Sequence, residues 1–333
     1  MSVLHLRPGR ILLATLGATL LSSDALADDT RVGALIFAHY HYDLSEEAPD
    51  NHRKGLHPSP NEFDIKRVYL DFKNKIDRNL SVRITTDVGR TNDRKFESFM
   101  KYAYLQAKLA EGIKVRVGSA GTPMVGFADK FWGQRWLAMS LTDQERVLSS
   151  SDLGVHALGT HSSGLFSWAA AVVNGEGYGN PETNTAKAAQ ARITLDPLHG
   201  DLKLPISVFA SKDINVLDGE DEASTLVASV GFSHDAARVW GEYVTHTEGD
   251  VDASGISTNA VGNVQDLFNV VVRYDSWDPN TDADDDAHTI VRAGVTKDFA
   301  KKVSAGLIFE QTTQEADEDN PTKGLFVRMQ AGF

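Results

Sequence analysis

The 333-residue chain contains no cysteine, so no disulfide framework holds it together and a small stapled domain is excluded. After position 27 it also lacks any stretch approaching the roughly 18 continuous apolar residues that a membrane-spanning helix needs. If the chain lies in a membrane it must be a closed β-barrel, because only closure satisfies every strand's backbone groups in lipid. A soluble periplasmic β-protein is the other class these absences allow, and 41% hydrophobic residues suits both. Basic residues are the minority, 33 against 46 acidic, for a net charge of −13, which argues against nucleic acid as a partner. There is no helical repeat, no Pro- or Ser-rich linker and no sign of a second domain.

Signals for chemistry are equally sparse. The G-x-S-x-G motif is missing, and His161-Ser162-Ser163 falls in an expected tight turn with no acid placed to complete a triad, so no catalytic residue is assigned. The alternating oxygens of Asp278-Pro-Asn-Thr-Asp282-Ala-Asp284 follow a calcium loop. Its sixth position is Ala283 instead of glycine and its twelfth is Thr289 instead of glutamate, so an EF-hand is rejected and a solvated acidic loop preferred. His39 and His41 share a strand face without a third ligand nearby. No metal site and no cofactor is expected.

What is present begins with an export signal. His5, Arg7 and Arg10 form a basic start, 11–21 is apolar, and Ala25-Leu26-Ala27 is an A-x-A cleavage site. The expected division is a cleaved signal peptide over 1–27 and a single barrel domain over 28–333, 333 − 27 = 306 residues long. Removing the leader's two arginines and Asp24 leaves a net charge of −14, from 31 basic and 45 acidic residues.

The mature chain alternates apolar and polar residues in segments of about ten, which is how a lipid-facing barrel strand reads. In Gly324–Phe333, Leu325, Val327, Met329, Ala331 and Phe333 point one way, while Phe326, Arg328 and Gln330 point the other. Ending such a strand on an aromatic residue resembles the C-terminal signature of bacterial outer-membrane proteins. Strands are expected near 32–43, 63–73, 80–89, 97–108, 112–119, 151–159, 164–174 and 187–196, then 201–211, 223–233, 236–246, 254–262, 267–276, 286–298, 302–312 and 323–333. That makes an all-β, transmembrane antiparallel barrel of about 16 strands. Counting back from a periplasmic Phe333, short periplasmic turns alternate with longer, acidic extracellular loops such as Asp213 to Glu222 and Asp278 to Asp285.

One strand face is apolar, as in Val68, Leu70 and Phe72 or Leu202, Leu204, Ile206 and Val208, and Tyr40, Tyr42, Tyr243 and Tyr274 fit an aromatic girdle. The opposite face carries Arg67, Arg83, Lys114, Arg116, Arg192, Arg273, Arg292 and Arg328. A guanidinium facing lipid at mid-membrane costs about 2–4 kcal/mol, so these groups must face water or carboxylates. Two arrangements follow: a cationic ladder along a pore, or pairing with lumenal acids such as Asp71, Asp87, Asp196 and Asp275 that braces the wall. The longest connection, Ala120 to Ser150, is the third extracellular loop. It is rich in aromatics, including Phe127, Phe131, Trp132 and Trp136, and such a loop is expected to fold inward and narrow the lumen. Its Asp129, Lys130, Arg135, Asp143, Glu145 and Arg146 are the candidate constriction residues. The alternative is an outward loop covering a subunit interface.

The segments Phe63-Asp-Ile-Lys-Arg-Val-Tyr-Leu-Asp-Phe-Lys73, Arg83-Ile-Thr-Thr-Asp87-Val, Lys101-Tyr-Ala-Tyr-Leu, Ser150-Ser-Asp-Leu-Gly154, Val173-Asn-Gly-Glu-Gly-Tyr178 and Val272-Arg-Tyr-Asp-Ser-Trp-Asp-Pro279 are loose motifs whose order is informative. In this order they resemble the phosphate-selective porin O and P family over most of the mature chain. The resemblance implies a homotrimeric sixteen-stranded porin of the bacterial outer membrane, set in lipopolysaccharide. Such a channel passes small hydrophilic solutes or ions, with lumenal arginines and lysines that can select anions. The family carries dense lysine at the pore mouth, whereas these loops are acidic, so the class carries over and the phosphate does not. A non-conducting barrel that anchors a periplasmic or surface partner, its third loop plugging the lumen, is the alternative.

Overall fold

The computed structural model describes residues 30–45, 61–90, 95–198, 201–217 and 221–333; the expected leader and its cleavage site lie outside the described residues. The chain forms β1 (Thr30–Asp43), β2 (Asn61–Lys75), β3 (Leu80–Arg90), β4 (Phe96–Ala110) and β5 (Ile113–Gly121). Two short helices follow, α1 (Val125–Trp132) and α2 (Leu141–Gln144). Then come β6 (Ser151–Thr160), β7 (Phe166–Val173), β8 (Lys187–Leu195), β9 (Ile206–Ile214), β10 (Ala223–His234) and β11 (Ala237–Glu248). The last are β12 (Val251–Val264), β13 (Phe268–Asp278), β14 (His288–Ala300), β15 (Val303–Gln314) and β16 (Asp317–Gly332). Each strand pairs antiparallel with its sequence neighbours, and β1 pairs with β16 from Leu35↔Gly332 to Asp43↔Gly324, closing the barrel. All sixteen expected strands are present, and among the described residues no strand of the barrel is left as an open edge.

The alternation in sequence becomes the two faces of the wall. Along β13, Asn269, Val271, Arg273, Asp275 and Trp277 are buried inside, while Val270, Val272 and Tyr274 are exposed outside. Exposed Ile84, Leu105, Val155, Ile193, Val208, Val230 and Val327 continue that outer apolar band around the barrel. Tyr42, Tyr243 and Tyr274 are exposed on the same outer face. At the rim that holds the C-terminus, Phe333, Phe299, Phe268 and Phe232 are exposed, and the Phe333 backbone N–H donates to the Ala34 carbonyl at 3.1 Å.

Turn chemistry sets the connections at this rim. Between β12 and β13, Gln265 and Asp266 take φ of 52° and 57°, and Leu267 N–H donates to Val264 O at 2.9 Å. Two positive φ values in succession make the mirror-image turn that matches strand twist. Three expectations are corrected. Strand β9 starts at Ile206 instead of 201, because Pro205 has no N–H for the ladder; only an isolated bridge, Lys203↔Ser233, precedes it. On the opposite rim, β11 and β12 are joined by Gly249-Asp250, and β15 and β16 by Glu315-Ala316, where longer loops were expected. Their polar residues extend the strands past the apolar band instead of forming loops.

At Gly118 the backbone itself calls for glycine. Gly118 in β5 has φ of +121°, and a Cβ there would stand 2.2 Å from the Ala103 carbonyl oxygen on β4. Gly118→Ala is expected to cost about 1–3 kcal/mol through this strain alone, lowering the temperature at which the folded barrel loses its fast migration on gels.

Candidate functional site

The connection between β5 and β6 turns into the barrel. Met124, Val125, Ala128, Leu141 and Leu148 pack on inward Phe209, Val227, Trp240, Val244 and Trp277 of β9, β10, β11 and β13. Further along, Trp132, Trp136 and Leu137 pack on Phe37, Val271, Ile308 and Phe326 of β1, β13, β15 and β16. Burying these side chains against the wall is what makes the inward path favourable, since each large side chain removed from water contributes about 1.5–3 kcal/mol. The outward alternative would leave them in solvent.

Polar bonds pin the same loop. Arg192 Nε donates to the Pro123 carbonyl at 2.8 Å, Arg292 Nη2 to Gln144 Oε1 at 2.9 Å, and Arg328 Nη1 to the Leu137 carbonyl. Leu141 N–H donates to Glu242 Oε1 at 3.2 Å, and His288 Nε2 lies 3.2 Å from Glu145 Oε1. Loop-side Asp129, Arg135 and Asp143 form one group, with Arg135 bonded to Asp129 at 2.8 Å and to Asp143 at 2.9 Å. Lys130 and Arg146 are exposed.

This packing divides the eight basic residues expected along the lumen. Arg192, Arg273, Arg292 and Arg328 are buried beneath the loop. Arg273 and Arg292 both bond Asp275, at 2.9 and 2.6 Å, and Glu310 Oε2 accepts from Arg292 Nε at 2.6 Å and Arg328 Nη2 at 3.0 Å. They hold loop to wall. Arg83, Lys114 and Arg116 stand on β3 and β5, away from both apolar clusters, and Arg67 stands on β2 beside Tyr69, which packs on the second. The Arg67 and Arg83 side chains keep 31% and 27% of their surface, against 1% for Arg273. Arg67 pairs with Asp87, and Asp71 takes both Arg83 at 2.7 Å and Lys73 at 2.6 Å. Asp196, the fourth expected acid partner, instead accepts from Leu204 N–H at 2.8 Å.

A second segment enters the barrel without having been expected. The connection between β7 and β8 carries Tyr178, whose hydroxyl donates to Asp87 Oδ2 at 2.6 Å and accepts from Arg67 Nη1 at 2.8 Å. Burial raises the pKa of this phenol, so it remains a donor at neutral pH. Tyr178→Phe is expected to cost about 1.5–3 kcal/mol, the range for a bond to a charged group, and limited proteolysis should then cut 174–186 faster. Beside it, Lys101 Nζ donates to Ser150 Oγ at 2.7 Å and lies 5.3, 5.9 and 4.8 Å from the rings of Tyr69, Tyr102 and Tyr178. Arg83 and Arg116 lie over Tyr102 and Tyr104.

Lys101 and Glu310 are the main residues the sequence pattern passed over. Lys101 has the outward parity of its strand, but a register shift between Thr85 and Thr86 on β3 turns it inward. Glu310 shares the inward parity of Ile308 and Thr312, a signal that was available. His161 and Ser163, 2.8 Å apart, are exposed in the tight turn after β6. The oxygens of Asp278 and Asn280 cap backbone N–H groups of Asn280 and Asp282. Among the described residues no group of three His, Asp or Glu is placed to hold a metal ion.

No protein-family model and no curated protein matches the chain in sequence. Solved structures do match in fold. An anion-selective porin from Comamonas acidovorans superposes with a TM-score of 0.62 at 12% identity, covering 91% of this chain and 99% of that one. OmpF of Salmonella typhi, in complex with daunomycin, gives 0.63 at 10% identity over 91% and 97%. The in-vitro folded OmpT of Vibrio cholerae, in its trimer form, gives 0.57 at 14% identity over 92% and 100%. The likeness is to the fold of outer-membrane barrels and not to a sequence family, the phosphate-selective one included.

Proposed function

We propose that the chain is an outer-membrane porin, exported by its first 27 residues, through which small hydrophilic solutes and ions diffuse passively, with a preference for anions. The observation that carries this reading is the asymmetry of the lumen. The inward loop and its clusters cover β1, β9–β13, β15 and β16, and leave the polar wall of β3–β5, with Arg83, Lys114 and Arg116, outside both apolar clusters, while Arg67 on β2 stands beside Tyr69 at the edge of the second. The fold likeness to an anion-selective porin agrees with it. A homotrimer in a lipopolysaccharide-bearing membrane is the assembly this fold supports, one solved relative in fold having a trimer form.

The test is conductance. Refolded protein added to a planar bilayer is expected to give stepwise, ohmic currents, and a salt gradient should give a reversal potential of the anion-preferring sign. Folded protein that inserts silently would instead fit a structural barrel plugged by its third loop.

A further inference from the structure

We infer that the uncovered wall of β3–β5 holds a weak binding subsite for carboxylates borne on a flat ring, with Arg116 taking the carboxylate and Tyr104 the ring. The inference rests on the porin reading and deepens it by naming a class of organic solute.

Bases alone would draw any anion, but this wall also carries rings. Tyr102 and Tyr104 of β4 are part-exposed on its lumenal side, 6.3 Å apart at an interplanar angle of 73°. Such rings keep apolar faces and edges that a solute can cover. Arg83 lies over Tyr102 at 4.3 Å and Arg116 over Tyr104 at 5.0 Å. A guanidinium stacked on a ring uses its plane, so its in-plane N–H groups remain able to donate. Arg83 commits them to Asp71. Arg116 is different: its Nε donates to Gln106 Oε1 at 2.9 Å, and among the described residues no carboxylate bonds it. Its two terminal nitrogens leave an open fork, whose spacing suits the two oxygens of a carboxylate. A single-centred anion such as chloride gains less from that shape.

The backbone leaves room for the rest of the solute. Gly118 stands opposite Tyr104 on β5, and a Cβ there would strike the Ala103 carbonyl, so no side chain from that position flanks the ring. A carboxylate on the Arg116 fork brings its substituent beside Tyr104, where offset or edge-to-face contact is open to a flat ring. The surroundings favour the negative head. Asp71 is shared by Arg83 and Lys73, two bases to one acid, and Lys108 faces Lys114 nearer the rim that holds the C-terminus. Leu158 on β6 stands opposite Lys114 and shares its lumenal face, adding apolar surface below the fork. Attraction is thus general, while the fork and the ring tell one anion from another. Binding must stay weak, because conduction requires the solute to leave again.

Single-channel chloride current titrated with benzoate at neutral pH tests this. Wild type should show a reversible, saturable fall in current. Cyclohexanecarboxylate has the same charge and a ring that is not flat, and should need about threefold more for half block, as should inorganic phosphate. Arg116→Lys keeps the charge but loses the fork, and should raise the half-blocking benzoate concentration about tenfold. Tyr104→Leu should raise it about threefold to tenfold and abolish the advantage over cyclohexanecarboxylate. Tyr104→Phe, which restores the ring, should restore the block. Equal block by the two ring acids in wild type, phosphate blocking as well as benzoate, or unchanged block in Arg116→Lys or Tyr104→Leu would each overturn the inference while currents persist. Absence of any current would overturn the porin reading beneath it.

Discussion

Replacing Glu310 by alanine is expected to destabilise the folded barrel by about 3–5 kcal/mol, the cost of leaving buried charge uncompensated. Glu310 Oε2 is the shared acceptor of Arg292 and Arg328, all three side chains being nearly enclosed between wall and loop. Removing it leaves two guanidiniums facing each other, with only Asp275 on the Arg292 side and the Leu137 and Gln144 oxygens on the loop side. Arg292 and Arg328 also tether the loop, so the same change should loosen it. The midpoint of heat-modifiable gel migration should fall sharply, and surviving channels should show noisier current. Glu310→Gln, which keeps an acceptor, should lie between alanine and wild type. An unchanged midpoint for Glu310→Ala would mean that the three groups do not form the brace described above.

Trp132→Ala should carry a similar penalty by a different route. Trp132 is 2% exposed and sits among Phe37, Trp136, Leu137, Val271, Ile308 and Phe326. Its Nε1 donates to the Ala138 carbonyl at 3.1 Å, holding the segment after α1, and the Arg273 guanidinium lies 5.6 Å from its ring. Truncation removes the packing, the hydrogen bond and the cation–π contact together, and the large-to-small scale for a buried tryptophan is about 3–5 kcal/mol. Part of the loss should appear in the loop alone, because sixteen laddered strands do not depend on this side chain. A protease that cannot cut wild type should therefore cut within 133–140 before the barrel itself melts. Simultaneous loss of loop and barrel would show that the loop is integral to barrel folding.

The strand count and closure were legible because lipid imposes a two-residue period on every strand, and no soluble surface imposes it so uniformly. The inward course of 122–150 was legible for a related reason: Phe127, Phe131, Trp132 and Trp136 could not all remain in water. Two kinds of feature were not legible. Register shifts, such as the one that turns Lys101 inward, leave no mark in the periodicity. The division of the basic residues into braces and exposed wall groups depends on which part of the wall the loop covers, and that is decided by tertiary packing between segments far apart in sequence. Arg273 and Arg83 have the same local signature, yet one is sealed beneath Trp132 and the other is part-exposed on β3. The entry of Tyr178 had no precursor signal, since Asn174-Gly-Glu-Gly reads as an ordinary polar turn.

The absence of cysteine makes the central claim directly measurable, because a single introduced thiol is the only one in the chain. The claim is that solutes pass along β2–β5 and not behind the loop. Gln106→Cys places a thiol beside Arg116 on the uncovered wall, and Ser229→Cys places one on β10, buried behind the loop. A negatively charged, water-soluble thiol reagent applied during recording should step the current down in Gln106→Cys channels and leave Ser229→Cys channels unaltered. Block at Ser229→Cys with none at Gln106→Cys would place the passage on the wrong side of the loop and contradict the account.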